Sequence, residues 1–157
     1  LSRFRTNDYI LFEKNNLIVS DEKGNIIIFS VNENKIIARF NFYKKRYKNI
    51  NKTLNFIIDK DIIYISDNIG YLYSYDYKNN KILWAKNYKV PFRSNLKLFK
   101  NKLIASDQNN NLYFFNKNNG DILKLIPTEE IAVKNQFINN SITKTKKTYL
   151  LTGSLKL

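Results

Sequence analysis

The chain has 157 residues, 43% of them hydrophobic, and a formal net charge of +14 from 27 Lys and Arg against 13 Asp and Glu. It contains neither Cys nor His, which excludes disulfides, thiolate metal sites, a Cys nucleophile and the commonest general base. No stretch approaches ~18 uninterrupted apolar residues, so no membrane-spanning helix is expected.

In chain order, the first predicted strand covers residues 9–12, and a polar turn at 13–16 leads to a continuous apolar run ending in Ser20-Asp21. A turn through Gly24 opens an alternating strand over 26–29; a turn at 32–35 precedes a fourth strand over 36–42. The basic segment Lys44-Lys45-Arg46-Tyr47-Lys48 reads as a loop. The same order then returns: strand 54–58, turn 59–61, apolar run to Ser66-Asp67, turn through Gly70, strand 71–76, turn 78–81, strand 82–88. It returns a third time: strand 96–99, turn 100–102, run to Ser106-Asp107, turn through Asn110, strand 112–115, turn 117–120, strand 122–126. Beyond Pro127, residues 137–138 and 149–152 open a fourth copy. No amphipathic helix is expected.

The anchors Asp21, Asp67 and Asp107 recur at steps of 46 and 40 residues. A period of ~40–50 residues built from short strands points to propeller blades. The predicted fold is all-β: a partial β-propeller of about three four-stranded antiparallel blades, residues 9–48, 53–94 and 95–127, with 128–157 opening the next. Continuous apolar runs suit strands covered on both faces by neighbouring blades. The alternation of Tyr71, Tyr73 and Tyr75 with Leu72 and Ser74 assigns the two sets to opposite faces. Gly24, Gly70 and Asn110 occupy one turn position, where positive φ is required and an Asp three residues earlier can bond the backbone. The chain starts at Leu1 and has no Met, so it reads as an internal piece of a longer protein.

The joins of the third and fourth strands carry a signature. Ser74-Tyr75-Asp76-Tyr77-Lys78-Asn79-Asn80-Lys81-Ile82-Leu83-Trp84 resembles the Ala-x-Asp-x-x-x-Gly-x-x-x-Trp repeat of PQQ-like propellers, with Asp76 and Trp84 identical and Asn80 at the Gly position. The third copy keeps Gly120 and has Asn116 and Lys124 at the Asp and Trp positions; the first copy keeps only Asn34. The repeat signature is therefore Asp67, Gly70, Asp76, Trp84 and Gly120. Within this superfamily the chain is most similar to the BamB family, the propeller subunit of the outer-membrane barrel-assembly machinery. The resemblance implies a periplasmic, non-catalytic scaffold. It implies a lipid anchor outside the sequence and the barrel-inserting subunit as protein partner. In that family inter-blade loops touch the partner. Val90, Pro91, Phe92 and Arg93 form such a loop here, and the Phe-Arg pair resembles the apolar-Arg pair used there. Pro91 stiffens it, and an exposed Phe92 beside Arg93 has the composition of a binding hot spot. The competing expectation is that Phe92 is a plug between blades and Arg93 pairs with a carboxylate.

Two other classes are weighed. A quinoprotein dehydrogenase shares the fold but needs a quinone, a Ca²⁺ site, an Asp base and often a vicinal Cys pair. The carboxylates here, such as Asp21, Asp59, Asp67, Asp107 and Asp121, fall mostly in turns, where they cap backbone. No acid–base pair, metal ligand set or cofactor cradle is expected, and no small-molecule substrate. The third class binds nucleic acid or an anionic surface through basic residues interleaved with aromatics, as in residues 42–48. The charge is spread along the chain, however, and the wealth of Lys, Asn, Ile, Tyr and Phe fits AT-rich codon usage equally well.

Overall fold

The computed structural model describes residues 6–43, 47–127, 141–144 and 147–150. No helix occurs among them; they form three four-stranded antiparallel sheets and one hairpin. The first sheet is β1 (Thr6–Glu13), β2 (Asn16–Asp21), β3 (Asn25–Ser30) and β4 (Lys35–Asn41), hydrogen-bonded in that order. The second is β5 (Leu54–Asp59), β6 (Ile62–Asp67), β7 (Tyr71–Asp76) and β8 (Lys81–Asn87). The third is β9 (Lys97–Phe99), β10 (Lys102–Ser106), β11 (Asn111–Asn116) and β12 (Ile122–Pro127). β13 (Ser141–Lys144) pairs with β14 (Lys147–Leu150). Of the residues expected to open a fourth copy, 137–138 and 151–152 lie outside the described residues, as do Lys44, Lys45 and Arg46 of the basic loop.

The sheets stack face to face as blades. β1 adjoins β5, and β9 adjoins β13, which places first strands innermost. The fourth strands are outermost and largely exposed. Between them lie the doubly covered strands that the apolar runs foretold. β6, for example, is buried from Ile63 through Asp67. One core joins the first two sheets, with Ile18, Ile26 and Ile28 against Ile63, Ile65, Tyr73 and Tyr75. A second joins the next two, with Tyr64 and Leu72 against Leu103, Tyr113 and Phe115. The strand alternation thus sends tyrosines one way and Leu72 the other, as the period of two requires.

The Ser-Asp turns repeat in detail. Asp67 Oδ1 accepts the amides of Ile69, Gly70 and Tyr71 at 2.8, 2.7 and 2.8 Å. Asp21 Oδ1 accepts those of Lys23 and Asn25, both at 3.0 Å. Asp107 Oδ1 accepts those of Asn109 and Asn111 at 2.8 and 2.9 Å. The turn positions Gly24, Gly70 and Asn110 have φ of 80°, 103° and 62°, and the signature positions Asn34, Asn80 and Gly120 have 50°, 51° and 77°. Asn replaces Gly at exactly the kind of site where its side chain tolerates the left-handed region.

Asp67 also receives the Tyr43 hydroxyl on Oδ2, so both oxygens are spent on buried donors. Asp67→Ala strands those donors and should lower unfolding free energy by about 3 kcal/mol, read from urea titration. Asp67→Asn, which keeps one carbonyl oxygen for the turn amides, should cost clearly less. Equal losses for the two variants would contradict this account of the turn.

Candidate functional site

The segment after β8 crosses from the second blade to the third, and backbone hydrogen bonds tie it down. The Tyr88 amide donates to Gly70 O at 2.8 Å and the Lys89 amide to Asn87 Oδ1 at 2.7 Å. Gly70 is required at this crossing: a Cβ there would stand 2.9 Å from the Val90 nitrogen. The Phe92 amide donates to Asp67 O at 3.0 Å, and Phe92 forms an antiparallel bridge with Asp107. The Gln108 amide donates to Pro91 O at 2.9 Å, and the Arg93 amide to Ser106 O at 3.1 Å. Ser94 Oγ accepts the Ser106 amide at 2.7 Å. The loop therefore joins the Ser-Asp turn of one blade to that of the next.

The expectation of an exposed Phe92 is corrected by its position. Its side chain is only 1% exposed. It lies edge-on to Tyr88, Tyr113 and Phe115, with centroids at 5.9, 6.0 and 5.9 Å. Edge-to-face contacts between buried rings are the favoured aromatic geometry. Phe92 is the plug between blades. Arg93, the next residue along extended chain, points the opposite way and is exposed. Among the described residues its side chain has no ion pair, so the expected carboxylate partner is not there either. Val90 and Pro91 are half-buried.

Asp67 and Gly70 of the signature touch this loop, whereas Asp76 lies at the far end of β8. Asp76 caps the β7–β8 turn by accepting the Asn79 amide at 2.9 Å and its side-chain amide at 2.8 Å; these bonds hold its carboxyl below the usual carboxylate range. Trp84 Nε1 donates to Lys117 O of the next blade at 3.0 Å, and the indole covers Gly120. The Tyr88 hydroxyl donates to Gly120 O and Lys86 pairs with Asp121. The first interface lacks a Trp because Ala38 stands there; Phe40 stacks on Tyr75 at 4.1 Å and Phe42 on Tyr73 at 4.5 Å instead. Tyr73 and Tyr75 are thus interior packing.

Two further carboxylates are occupied. Asp59 pairs with Lys117 at 2.8 Å, and Asp107 Oδ2 accepts the Asn111 side chain at 2.8 Å and the Tyr113 hydroxyl at 3.1 Å. No group of three or more metal-ligating side chains occurs among the described residues. One residue escaped sequence reasoning. Lys52 is buried, with its ammonium donating to Tyr47 O and lying 5.5 Å from the Tyr43 ring centroid. Burial, reinforced by Lys23, pulls its pKa below the ordinary lysine value. Nothing in a Lys-rich linker marks one lysine for the interior.

No family model and no curated protein matches the chain in sequence. Solved structures do match in shape. BamB from Moraxella catarrhalis is similar over 95% of this chain and 45% of that one, with TM-score 0.72 and 11% identity. The WD40 domain of Toxoplasma gondii coronin matches over 78% of this chain and 33% of that one, TM-score 0.62, 10% identity. Quinohemoprotein alcohol dehydrogenase from Comamonas testosteroni matches over 74% and 20%, TM-score 0.58, 12% identity. At such identities the likeness shows the fold alone: this is a β-propeller. The chain spans less than half the length of these relatives.

Two outcomes follow from the blade interface. A Cβ on Gly120, at φ 77°, would lie 2.6 Å from Trp84 Cζ3. Gly120→Ala should destabilise by about 2 kcal/mol and shift the emission of the sole tryptophan. Unchanged emission in Gly120→Ala would place the indole elsewhere. Burial pushes the Tyr88 and Tyr113 hydroxyls up to about 12, with Asp121 and Asp107 adding to it. An unfolded tyrosine ionises near ~10. The unfolded chain therefore loses these protons first, so their contribution is complete below about pH 10 and vanishes as pH rises through about 12. Urea midpoints should fall across that window, and Tyr113→Phe should flatten the fall.

Proposed function

We propose that this propeller is a non-catalytic scaffold for protein–protein contact, working in the periplasm in the assembly of outer-membrane β-barrel proteins. The observation that carries the reading is Arg93: an exposed guanidinium, without an ion pair among the described residues, on a loop whose backbone is fixed at Phe92, Pro91 and Ser94. A side chain presented on pre-ordered backbone loses little further freedom on binding. Arg is also among the residues in which binding energy concentrates. The shape match to BamB supports the choice of partner, while the burial of Phe92 removes the exposed Phe-Arg pair on which the loop's resemblance rested and leaves Arg93 alone as the contact. Phe92 supports the loop from within and takes no part in contact; Val90 and Pro91 flank Arg93 at the surface.

The test is calorimetric titration against the periplasmic domains of the barrel-insertion subunit. Arg93→Glu should weaken binding roughly thirtyfold or more while the urea midpoint stays unchanged. Wild-type protein that fails to bind, or an Arg93→Glu variant that binds equally well, would end this reading. Titration with PQQ and Ca²⁺ separates the dehydrogenase alternative: tight stoichiometric uptake with dye-linked oxidation of an alcohol would favour an enzyme.

A further inference from the structure

The outermost strands share a construction that the blade cores do not need. In each sheet the ladder between third and fourth strands skips one residue at the same place. Phe29 pairs Ile36 and Ile28 pairs Ala38; Tyr75 pairs Ile82 and Ser74 pairs Trp84; Phe115 pairs Ile122 and Phe114 pairs Lys124. The residues passed over are Ile37, Leu83 and Leu123, and they are 39%, 45% and 52% exposed. A bulge re-aims the side chain it carries, and at this position every blade turns a branched aliphatic outward at its rim; β4 also exposes Ile36, and β12 Ile122 and Leu125.

Charge follows the same strands. β4, β8 and β12 contain Lys35, Arg39, Lys81, Lys86 and Lys124 but none of the 13 carboxylates. Lys35 pairs with Glu33 and Lys86 with Asp121. That leaves Arg39, Lys81 and Lys124, one per blade, with no ion pair among the described residues. Lysines and bulges alone would suffice to keep edge strands from pairing with strangers. The aliphatic side chains are not explained by that protection, since exposed Ile and Leu on an edge invite association. A single exposed aliphatic is ordinary; its return at one bulge position in three successive blades is a pattern, and each of these strands also carries a cation without an ion pair among the described residues, Arg39 two residues after the bulge, Lys81 two before and Lys124 one after.

We propose that this outer rim is a second docking surface, and that its occupant is an acidic amphipathic helix of a protein partner. Carboxylates of such a helix complement Arg39, Lys81 and Lys124, and its aliphatic face covers Ile37, Leu83 and Leu123. The bulges interrupt the edge ladder, which disfavours an added strand and favours contact through side chains. An anionic bilayer is the competing occupant, and the vesicle arm of the test separates it from a helix. The surface is separate from the Arg93 loop, so it stands whether or not that loop binds.

The probe is a synthetic amphipathic helix with leucines on one face and glutamates on the other, followed by fluorescence anisotropy. Binding should be saturable and should weaken with salt. Arg39→Glu/Lys81→Glu/Lys124→Glu should weaken it by about tenfold or more, and Ile37→Ser/Leu83→Ser/Leu123→Ser likewise, while Arg93→Glu leaves it unchanged. Far-ultraviolet circular dichroism and urea midpoints establish that each variant is folded; if the serine variant is not, the charge-reversal variant decides. No binding by wild type, or undiminished binding by the charge-reversal variant, overturns the proposal. So does capture by anionic phosphatidylglycerol vesicles without binding of the helix, which would make the rim a membrane surface.

Discussion

A carboxylate drawn inside each blade is the interaction on which the rest depends. Asp21, Asp67 and Asp107 are at most 2% exposed, yet each meets an array of donors supplied by its own turn. Burial raises the pKa of Asp67, and the Tyr43 hydroxyl with the amides of Tyr71, Ile69 and Gly70 opposes that rise. A buried charge is tolerated only when hydrogen bonds replace its lost water. Here they come from a turn that folds only if Gly70 or its equivalents adopt positive φ. Local chemistry thus fixes where each second strand ends and each third begins, and the blade is defined before its neighbours arrive.

From that anchor, order passes along the chain to the next blade. The carbonyl of Asp67 accepts the Phe92 amide, and Asp107 bridges Phe92, so one plug residue touches two anchors. Between the first two blades Tyr43 does comparable work: its ring covers Gly24 of one turn while its hydroxyl reaches Asp67 of the next. The two crossings use different residues for one task. Stacked repeats hold together through such nearest-neighbour contacts, with no contact needed between distant blades.

Much of this was legible because the constraint was local. A turn that needs positive φ announces itself by Gly or Asn, and Asn34, Asn80 and Asn110 were readable for that reason. Trp84 was readable from its spacing after Asp76. The depth of Phe92 was not, since a loop residue is buried or exposed according to which rings lie across the interface, and Tyr113 and Phe115 follow it by more than twenty positions. The outward turn of Ile37, Leu83 and Leu123 was hidden for a related reason: a one-residue skip depends on register between strands, which hydrophobic alternation alone does not specify. Lys60 and Lys100 adopt φ of 60° and 54° without any Gly-like mark, because hairpin closure imposes it on whichever residue is there.

The strong positive charge takes on a different meaning once side chains are placed. As a total, +14 speaks equally of codon usage and of an anionic partner. In the fold the two signs are treated unequally. Asp21, Asp67 and Asp107 are withdrawn into turns, and Asp59 and Asp121 are met by Lys117 and Lys86. Arg39, Lys81, Arg93 and Lys124 are exposed and form no ion pair among the described residues. The same turns that stabilise the blades therefore remove negative charge from the surface and leave the cations to set the field there. An electropositive exterior follows from how the blades are built, and whether it serves recognition depends on where the cations stand next to side chains that reward contact.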